Sequence, residues 1–127
     1  MKIKLNDIYT YLRSNDPNYV KYCKIKDNPY YLSLKSDDEE IYNNYVNTLP
    51  SSHRNRPTGT LKGLKDLIKK IKHEGFRYGD RSIVIVKKHN KYFCKRGRHR
   101  LCVLLFLYDK DTYIEIKHRT IIKIYDK

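Results

Sequence analysis

The clearest hydrophobic pattern lies in the middle of the chain, in the stretch TLKGLKDLIKKIKHEG. Its leucines and isoleucines recur at helical spacing from Leu61 to Ile71, and most of the residues between them are lysines. Thr60 can cap the first turn, and Gly75 stands where many helices end in a left-handed residue. The pattern predicts an amphipathic helix over residues 60–75 with a lysine-rich outer face.

Shorter apolar runs follow this helix. RSIVIVKK (residues 81–88) and KYFCK (residues 91–95), with the turn dipeptide His89-Asn90 between them, predict an antiparallel hairpin. LCVLLFLY (residues 101–108) is too long and too uniformly apolar for a half-exposed strand, so it predicts a buried helix that begins near Gly97. TYIEIK and TIIKIYDK predict one or two closing strands. The expected order in this half is helix, strand, strand, helix, strand.

Residues 1–50 are rich in tyrosine and are interrupted by the turn signals Asn-Asp-Pro and Asp-Asn-Pro. Ser36 and Glu39 form a candidate capping box, and Ile41, Tyr42 and Tyr45 follow at near-helical spacing. This pattern predicts one short helix. The polar stretch PSSHRNRPTG (residues 50–59) predicts a surface loop. We therefore expect one domain over residues 51–127, with residues 1–50 as a helical or irregular extension packed on it.

Length and composition limit the classes of protein to which the chain can belong. A chain of 127 residues has the size of a single domain. No run approaches the ~18 apolar residues of a membrane helix, and the N-terminus lacks the features of a secretory signal. Three cysteines at irregular spacing do not suggest a disulfide framework. We expect a cytoplasmic protein with free thiols and no membrane partner.

Positive charge is concentrated in the second part of the chain. The net charge is +14, and residues 1–51 contain seven Lys/Arg and seven Asp/Glu, so the whole excess belongs to residues 52–127. Such a segment attracts phosphate-rich partners. Codon bias is an alternative explanation for the lysines, which are abundant throughout. It does not explain the arginines, which cluster at Arg54, Arg56, Arg96, Arg98 and Arg100.

The sequence KRGRHR (residues 95–100) places cations at the predicted start of the second helix. Gly97 permits a tight strand-to-helix turn, and the first N–H groups of a helix have no partners within it. Cations are unfavourable there by ~0.3–1 kcal/mol each, so Arg98, His99 and Arg100 point to a bound anion such as phosphate. The alternative is an exposed arginine cluster without a ligand.

The order of these elements, together with GRHRL after the second strand, resembles the ParB/sulfiredoxin superfamily over about residues 54–118. The resemblance implies an α+β fold in which a small mixed sheet is flanked by helices. It also implies that Gly97, His99 and Arg100 bind nucleotide phosphates, with Arg96 and Arg98 beside them. Because the segment before the long helix often lines the site in this superfamily, Arg54 and Arg56 are secondary candidates.

The chain also departs from the best-known subfamilies. Sulfiredoxins have a catalytic cysteine immediately before the His-Arg pair, where this chain has Arg98, so we do not expect sulfinic acid reduction. ParB proteins usually have a glutamate there, and Arg98 reverses its charge. The expected ligand is a nucleoside triphosphate or diphosphate, ATP/ADP or CTP, and the requirement for Mg²⁺ is left open.

Three functions remain open at this point. The first is a nucleotide-binding or phosphate-binding module that associates with DNA or RNA through a basic face. The second is an enzyme, either a small-molecule kinase or a nuclease, which needs a carboxylate that the sequence does not identify. The third is a relative that retains only the fold and binds a protein.

We predict no metal site, because Cys94, His99 and Cys102 offer three ligands where structural zinc needs four. The carboxylates available to an enzyme are Asp66, Glu74, Asp80 and Glu115.

Overall fold

The structure, a computed structural model, describes residues 1–13, 20–48, 60–76 and 83–125. Within these residues, seven strands form one mixed sheet and four α-helices accompany it. The strands are β1 (Lys2–Lys4), β2 (Ile8–Arg13), β3 (Val20–Lys24), β4 (Val84–Lys88), β5 (Lys91–Arg96), β6 (Tyr113–Lys117) and β7 (Thr120–Tyr125). The helices are α1 (Pro29–Ser36), α2 (Glu39–Val46), α3 (Leu61–Glu74) and α4 (Arg98–Leu107).

The long central helix α3 confirms the helical pattern. The Thr60 hydroxyl accepts a hydrogen bond from the Gly63 N–H at 2.9 Å, and Gly75 follows the helix with φ of 77°. Four of the patterned apolar side chains are buried, while the lysines face solvent. The second predicted helix is α4, which begins directly after Gly97 as expected.

The predicted hairpin of residues 81–95 is β4 and β5, although Arg81 and Ser82 lie outside the described residues. His89 and Asn90 both have positive φ, as a two-residue type I′ turn requires. The closing strands β6 and β7 form a second hairpin, and His118 and Arg119 have positive φ in its turn.

The prediction for residues 1–50 was incomplete. The described residues among them contain two α-helices and three strands, so they are not simply a helical or irregular extension. The proposed capping box was wrong: Asp38, not Ser36, caps α2 by accepting a hydrogen bond from the Glu40 N–H at 2.9 Å. Ser36 belongs to α1, and its hydroxyl donates to the Leu32 carbonyl. The sequence pattern missed α1, which begins with the cap-and-proline pair Asn28-Pro29.

The strand order is β1-β6-β7-β4-β5-β2-β3. Both edges of the sheet come from the first 24 residues, because β1 pairs with β6, and β2 lies between β5 and β3. The β2–β5 pair is parallel and the other pairs are antiparallel. The expected small mixed sheet with helices is therefore present in its general form. None of the described helices is both long and apolar enough to span a membrane.

The helices form a layer that buries one face of the sheet. In β2, Ile8 and Thr10 are fully buried and belong to this face, whereas Tyr9 and Tyr11 alternate with them and are only half-buried. Cys94 and Ile85 come from β5 and β4 into the same core, which α4 fills with the apolar run from Leu101 to Leu105.

A buried polar chain connects this helical layer to the sheet. Asn28 is fully buried; its side-chain oxygen caps α1 by accepting from the Tyr30 N–H, and its Nδ2 donates to Thr10 Oγ1, both at 3.0 Å. The Thr10 hydroxyl donates in turn to the Cys23 carbonyl at 3.0 Å. Asn28 thus links α1 to β2, and Thr10 extends the link to β3.

We expect Asn28→Ala to lower the free energy of unfolding by about 2–4 kcal/mol, because it removes a helix cap and a buried donor together. Denaturant unfolding measures this change. Asp38→Ala is the matched control, since it removes the exposed cap of α2 alone and should lower the same quantity by about 1 kcal/mol. Equal losses in the two variants would show that the link to Thr10 contributes nothing.

Candidate phosphate-binding site

Helix α4 begins at a sharp turn that directly follows strand β5. Gly97, the residue between them, has φ of 93° and ψ of 29°, a left-handed conformation that disfavours other residues. The Leu101 N–H bonds to the Gly97 carbonyl at 3.0 Å and closes the first helical turn. Glycine at this position therefore lets the chain turn from sheet to helix without an intervening loop.

The start of α4 has no cap from a side chain at Gly97 and no acidic residue in its first turn. The backbone N–H groups of Arg98 and Arg100 belong to the first turn, which has no acceptors within the helix. The three other helices begin differently, because Asn28, Asp38 and Thr60 each accept a hydrogen bond from the turn that follows. The first turn of α4 thus combines the positive end of the helix dipole with cationic side chains.

Arg98 is buried, with 5% of its surface exposed, and lies between two tyrosines from distant parts of the chain. Its Nη1 donates to the Tyr11 carbonyl and its Nη2 to the Tyr30 hydroxyl, both at 3.3 Å. Its Cζ lies 4.6 Å and 5.0 Å from the centroids of the two rings, so both also make cation–π contacts. Arg98 Nε is buried without a hydrogen-bond partner, and no carboxylate among the described residues pairs with this arginine.

Tyr30 on α1 packs against the first turn of α4. Its ring lies 4.5 Å from the His99 ring in an edge-to-face arrangement, in addition to its contacts with Arg98. The rings of Tyr42 and Tyr45 on α2 each lie 5.8 Å from it. Burial raises the pKa of Tyr30 to about 12, against a smaller lowering by the charge of Arg98, so its hydroxyl is protonated at neutral pH.

The structure describes the predicted site residues from Arg96 to Arg100 but not those in the loop before α3. Arg96 is exposed at the end of β5, Arg100 is half-buried in the first turn of α4, and Arg98 points into the protein. Arg54 and Arg56 lie outside the described residues. Sequence reasoning missed Tyr11 and Tyr30. For Tyr30, the cap-and-proline start of α1 was an available signal, since it places the tyrosine in the first turn of a helix.

The carboxylates that an enzyme would need are dispersed. Asp66 is exposed on α3, and Glu74 is the last residue of the same helix. Glu115 lies on β6, where its carboxylate accepts a hydrogen bond from the Tyr125 hydroxyl, and this bond is the main reason that its pKa is lowered. A carboxylate with a lowered pKa is a weaker general base. Asp80 lies outside the described residues.

The thiols nearest the site are protonated. Burial raises the pKa of Cys94 to about 12, and it also raises the pKa of the fully buried Cys102 on α4. The Cys94 thiol donates to the Arg96 carbonyl at 3.2 Å. Metals bind thiolates rather than thiols, and within the described residues no group of three His, Cys, Asp or Glu side chains is placed to hold an ion.

We expect the protein to lose stability at alkaline pH. In the unfolded chain these thiols ionise near pH ~8.5 and tyrosine near ~10, whereas Cys94 and Tyr30 ionise at about 12 in the folded protein. The folded state therefore holds these protons longer, so the contribution of these groups to the free energy of unfolding is constant below pH ~8.5 and falls as the pH rises toward ~12. Denaturant unfolding at a series of pH values measures this. A Cys94→Ala variant should lose less stability over the same interval, and an unchanged slope would contradict the assignment.

Replacing Arg98 tests whether the arginine between the two rings contributes to folding. We expect Arg98→Met to lower the free energy of unfolding by about 2–4 kcal/mol, because it removes two hydrogen bonds and two cation–π contacts at a buried position. Arg96→Met is the control, since it removes an exposed cation two residues away and should change stability by no more than about 0.5 kcal/mol. If both variants were equally stable, Arg98 would have no structural role.

No protein-family model, curated protein or solved structure matches this chain. The resemblance to the ParB/sulfiredoxin superfamily therefore stays a prediction.

Proposed function

We propose that this chain is a phosphate-binding module of the ParB/sulfiredoxin type, which binds the phosphates of a nucleotide at the first turn of α4. One observation carries the proposal: α4 begins at a left-handed glycine without a capping side chain, and its first turn holds Arg98 with no carboxylate among the described residues to neutralise it. A phosphate supplies negative charge at this position and can accept hydrogen bonds from the backbone N–H groups of the first turn.

Each residue of the turn has a different role in this proposal. Gly97 lets the phosphate approach the backbone closely, because it has no side chain. Arg100 is the direct side-chain contact, since its guanidinium can form two parallel hydrogen bonds to phosphate oxygens. Arg98 acts mainly through its charge, because both of its terminal nitrogens already donate to Tyr11 and Tyr30. His99 and Arg96 border the turn on either side.

Two further features support the proposal. The order α3, β4, β5, α4 is the order of elements that the resemblance implies. The positive excess of residues 52–127 also favours phosphate-rich ligands, and it extends well beyond the turn. A nucleic acid can therefore be held by the wider basic surface while one of its phosphates, or a separate nucleotide, occupies the α4 turn.

A thermal-shift screen against ATP, ADP, CTP, GTP and pyrophosphate, with and without Mg²⁺, tests the proposal. A ligand that binds only the folded state raises its stability by about 2.7 kcal/mol at a concentration 100 times the dissociation constant. We expect one nucleotide to raise the melting temperature of the natural protein and to have little effect on Arg100→Ala.

Lys70→Ala is the matched control for this experiment, because it also removes one cation from a helix but lies on the exposed face of α3. It should respond to the nucleotide as the natural protein does. Equal stabilisation of both variants by every polyanion would show that general positive charge, not the α4 turn, binds the ligand.

A further inference from the structure

One face of the sheet carries a group of aromatic side chains, one of which, Tyr11, contacts Arg98 of α4. Tyr9 on β2, Tyr22 on β3 and Phe93 on β5 lie side by side, with the Phe93 ring centroid 5.5 Å from that of Tyr9 and 5.1 Å from that of Tyr22. Tyr11 pairs directly with Tyr22 and so shares the same face. We call these four residues the aromatic face.

The aromatic face is opposite the face that the helices bury. Along β2 its residues alternate with the fully buried Ile8 and Thr10, and along β5 Phe93 precedes the buried Cys94. Tyr22 is 48% exposed, and Val20 on the same strand is 45% exposed. A tyrosine in a core is not exposed to this extent, so Tyr22 does not serve simply as internal packing.

Lysines surround the aromatic face without any acidic residue among them. Lys24 pairs with Tyr9, Lys91 places its Nζ 5.5 Å from the centroid of the Tyr9 ring, and Lys88 pairs with Lys91. The four neighbouring strands β2, β3, β4 and β5 contain no Asp or Glu at all. A partner that fits this surface needs flat rings to stack on the tyrosines and negative charge to satisfy the lysines.

Single-stranded nucleic acid has both properties. Its bases are free to stack on aromatic side chains, whereas duplex bases stack on each other, and its phosphates attract lysine. Four adjacent strands span three gaps of about 4.8 Å each, and four-stranded sheets with exposed aromatics stack two or three bases of single-stranded RNA in this way. An acidic protein would satisfy the lysines but would leave the exposed rings without flat partners.

The aromatic face also reaches the α4 turn. The ring of Tyr11 belongs to this face and contacts Arg98, whose Cζ lies 4.6 Å from its centroid. The aromatic face therefore borders the α4 turn.

We propose that the open face of the sheet, through Tyr9, Tyr22 and Phe93 and the lysines around them, binds single-stranded nucleic acid. The proposal goes beyond nucleotide binding at the α4 turn and does not depend on it, because it uses different residues.

Fluorescence anisotropy with labelled 12-nucleotide oligo-dT and oligo-U, and with a 12-base-pair duplex, tests the proposal. We expect at least one single strand to bind more tightly than the duplex at equal salt. Tyr22→Ala should weaken that binding about five- to a hundredfold, which is the usual effect of losing one stacked base. Tyr22→Phe, which keeps the ring, should retain it.

Phe106→Ala is the matched control for the aromatic substitution. Phe106 is 43% exposed, close to the value for Tyr22, but it lies on α4 in the helical layer, so its removal should leave binding unchanged. Lys91→Ala provides a second test that spares every aromatic ring: it should reduce the slope of log affinity against log salt by about 0.7.

Duplex binding as tight as single-strand binding, or equal affinities of Tyr22→Ala and Phe106→Ala, would overturn the proposal. The outcome is separate from that of the nucleotide experiment. Loss of nucleotide binding in Arg100→Ala concerns the α4 turn, whereas Tyr22→Ala should still respond to the nucleotide. A protein that binds single strands but no nucleotide would refute only the proposed function.

Discussion

One buried arginine, in contact with two tyrosines, joins distant parts of the described chain. Arg98 lies in the first turn of α4, Tyr11 on β2 next to the edge strand, and Tyr30 in the first turn of α1. The guanidinium therefore joins three elements that are far apart in the sequence. A guanidinium suits this position because its flat faces can pack on rings while its edge donates hydrogen bonds. A positive charge is thereby fixed within the first turn of a helix, where it repels the dipole and favours an anion.

The local patterns of the sequence predicted one half of the fold well. Helix α3, the β4–β5 hairpin and the glycine start of α4 are each determined by residues within a few positions of one another, such as Thr60 or the His89-Asn90 turn. Local rules failed where partners are distant. Strands β1 and β2 pair with β6 and β5, which come much later in the chain, and β3 in turn pairs with β2.

The candidate site divides in the same way. Gly97 and the cations around it were predictable, because a glycine followed by a helical apolar run is a local signal. The burial of Arg98 was not predictable, since its hydrogen-bond partners are 87 and 68 positions away in the sequence. The aromatic face was equally hidden: a tyrosine-rich sequence does not show which rings the sheet register places side by side. The composition shows many aromatic residues. Only the pairing of β2 with β3 and β5 shows which of them lie side by side on the sheet and which pack in the core.

The strand order also has a consequence for how the protein is made. Lys2 of β1 pairs with Glu115 of β6, so the two partners are separated by 113 positions (115 minus 2) in the chain. At about 5–20 residues per second, a ribosome needs roughly 6–23 seconds to add that length. Of the described strands, β1 waits longest for its neighbour, and during this interval Ile3, which is buried in the folded protein, lacks its partners on β6. The earliest of the described strands is therefore among the last to be paired.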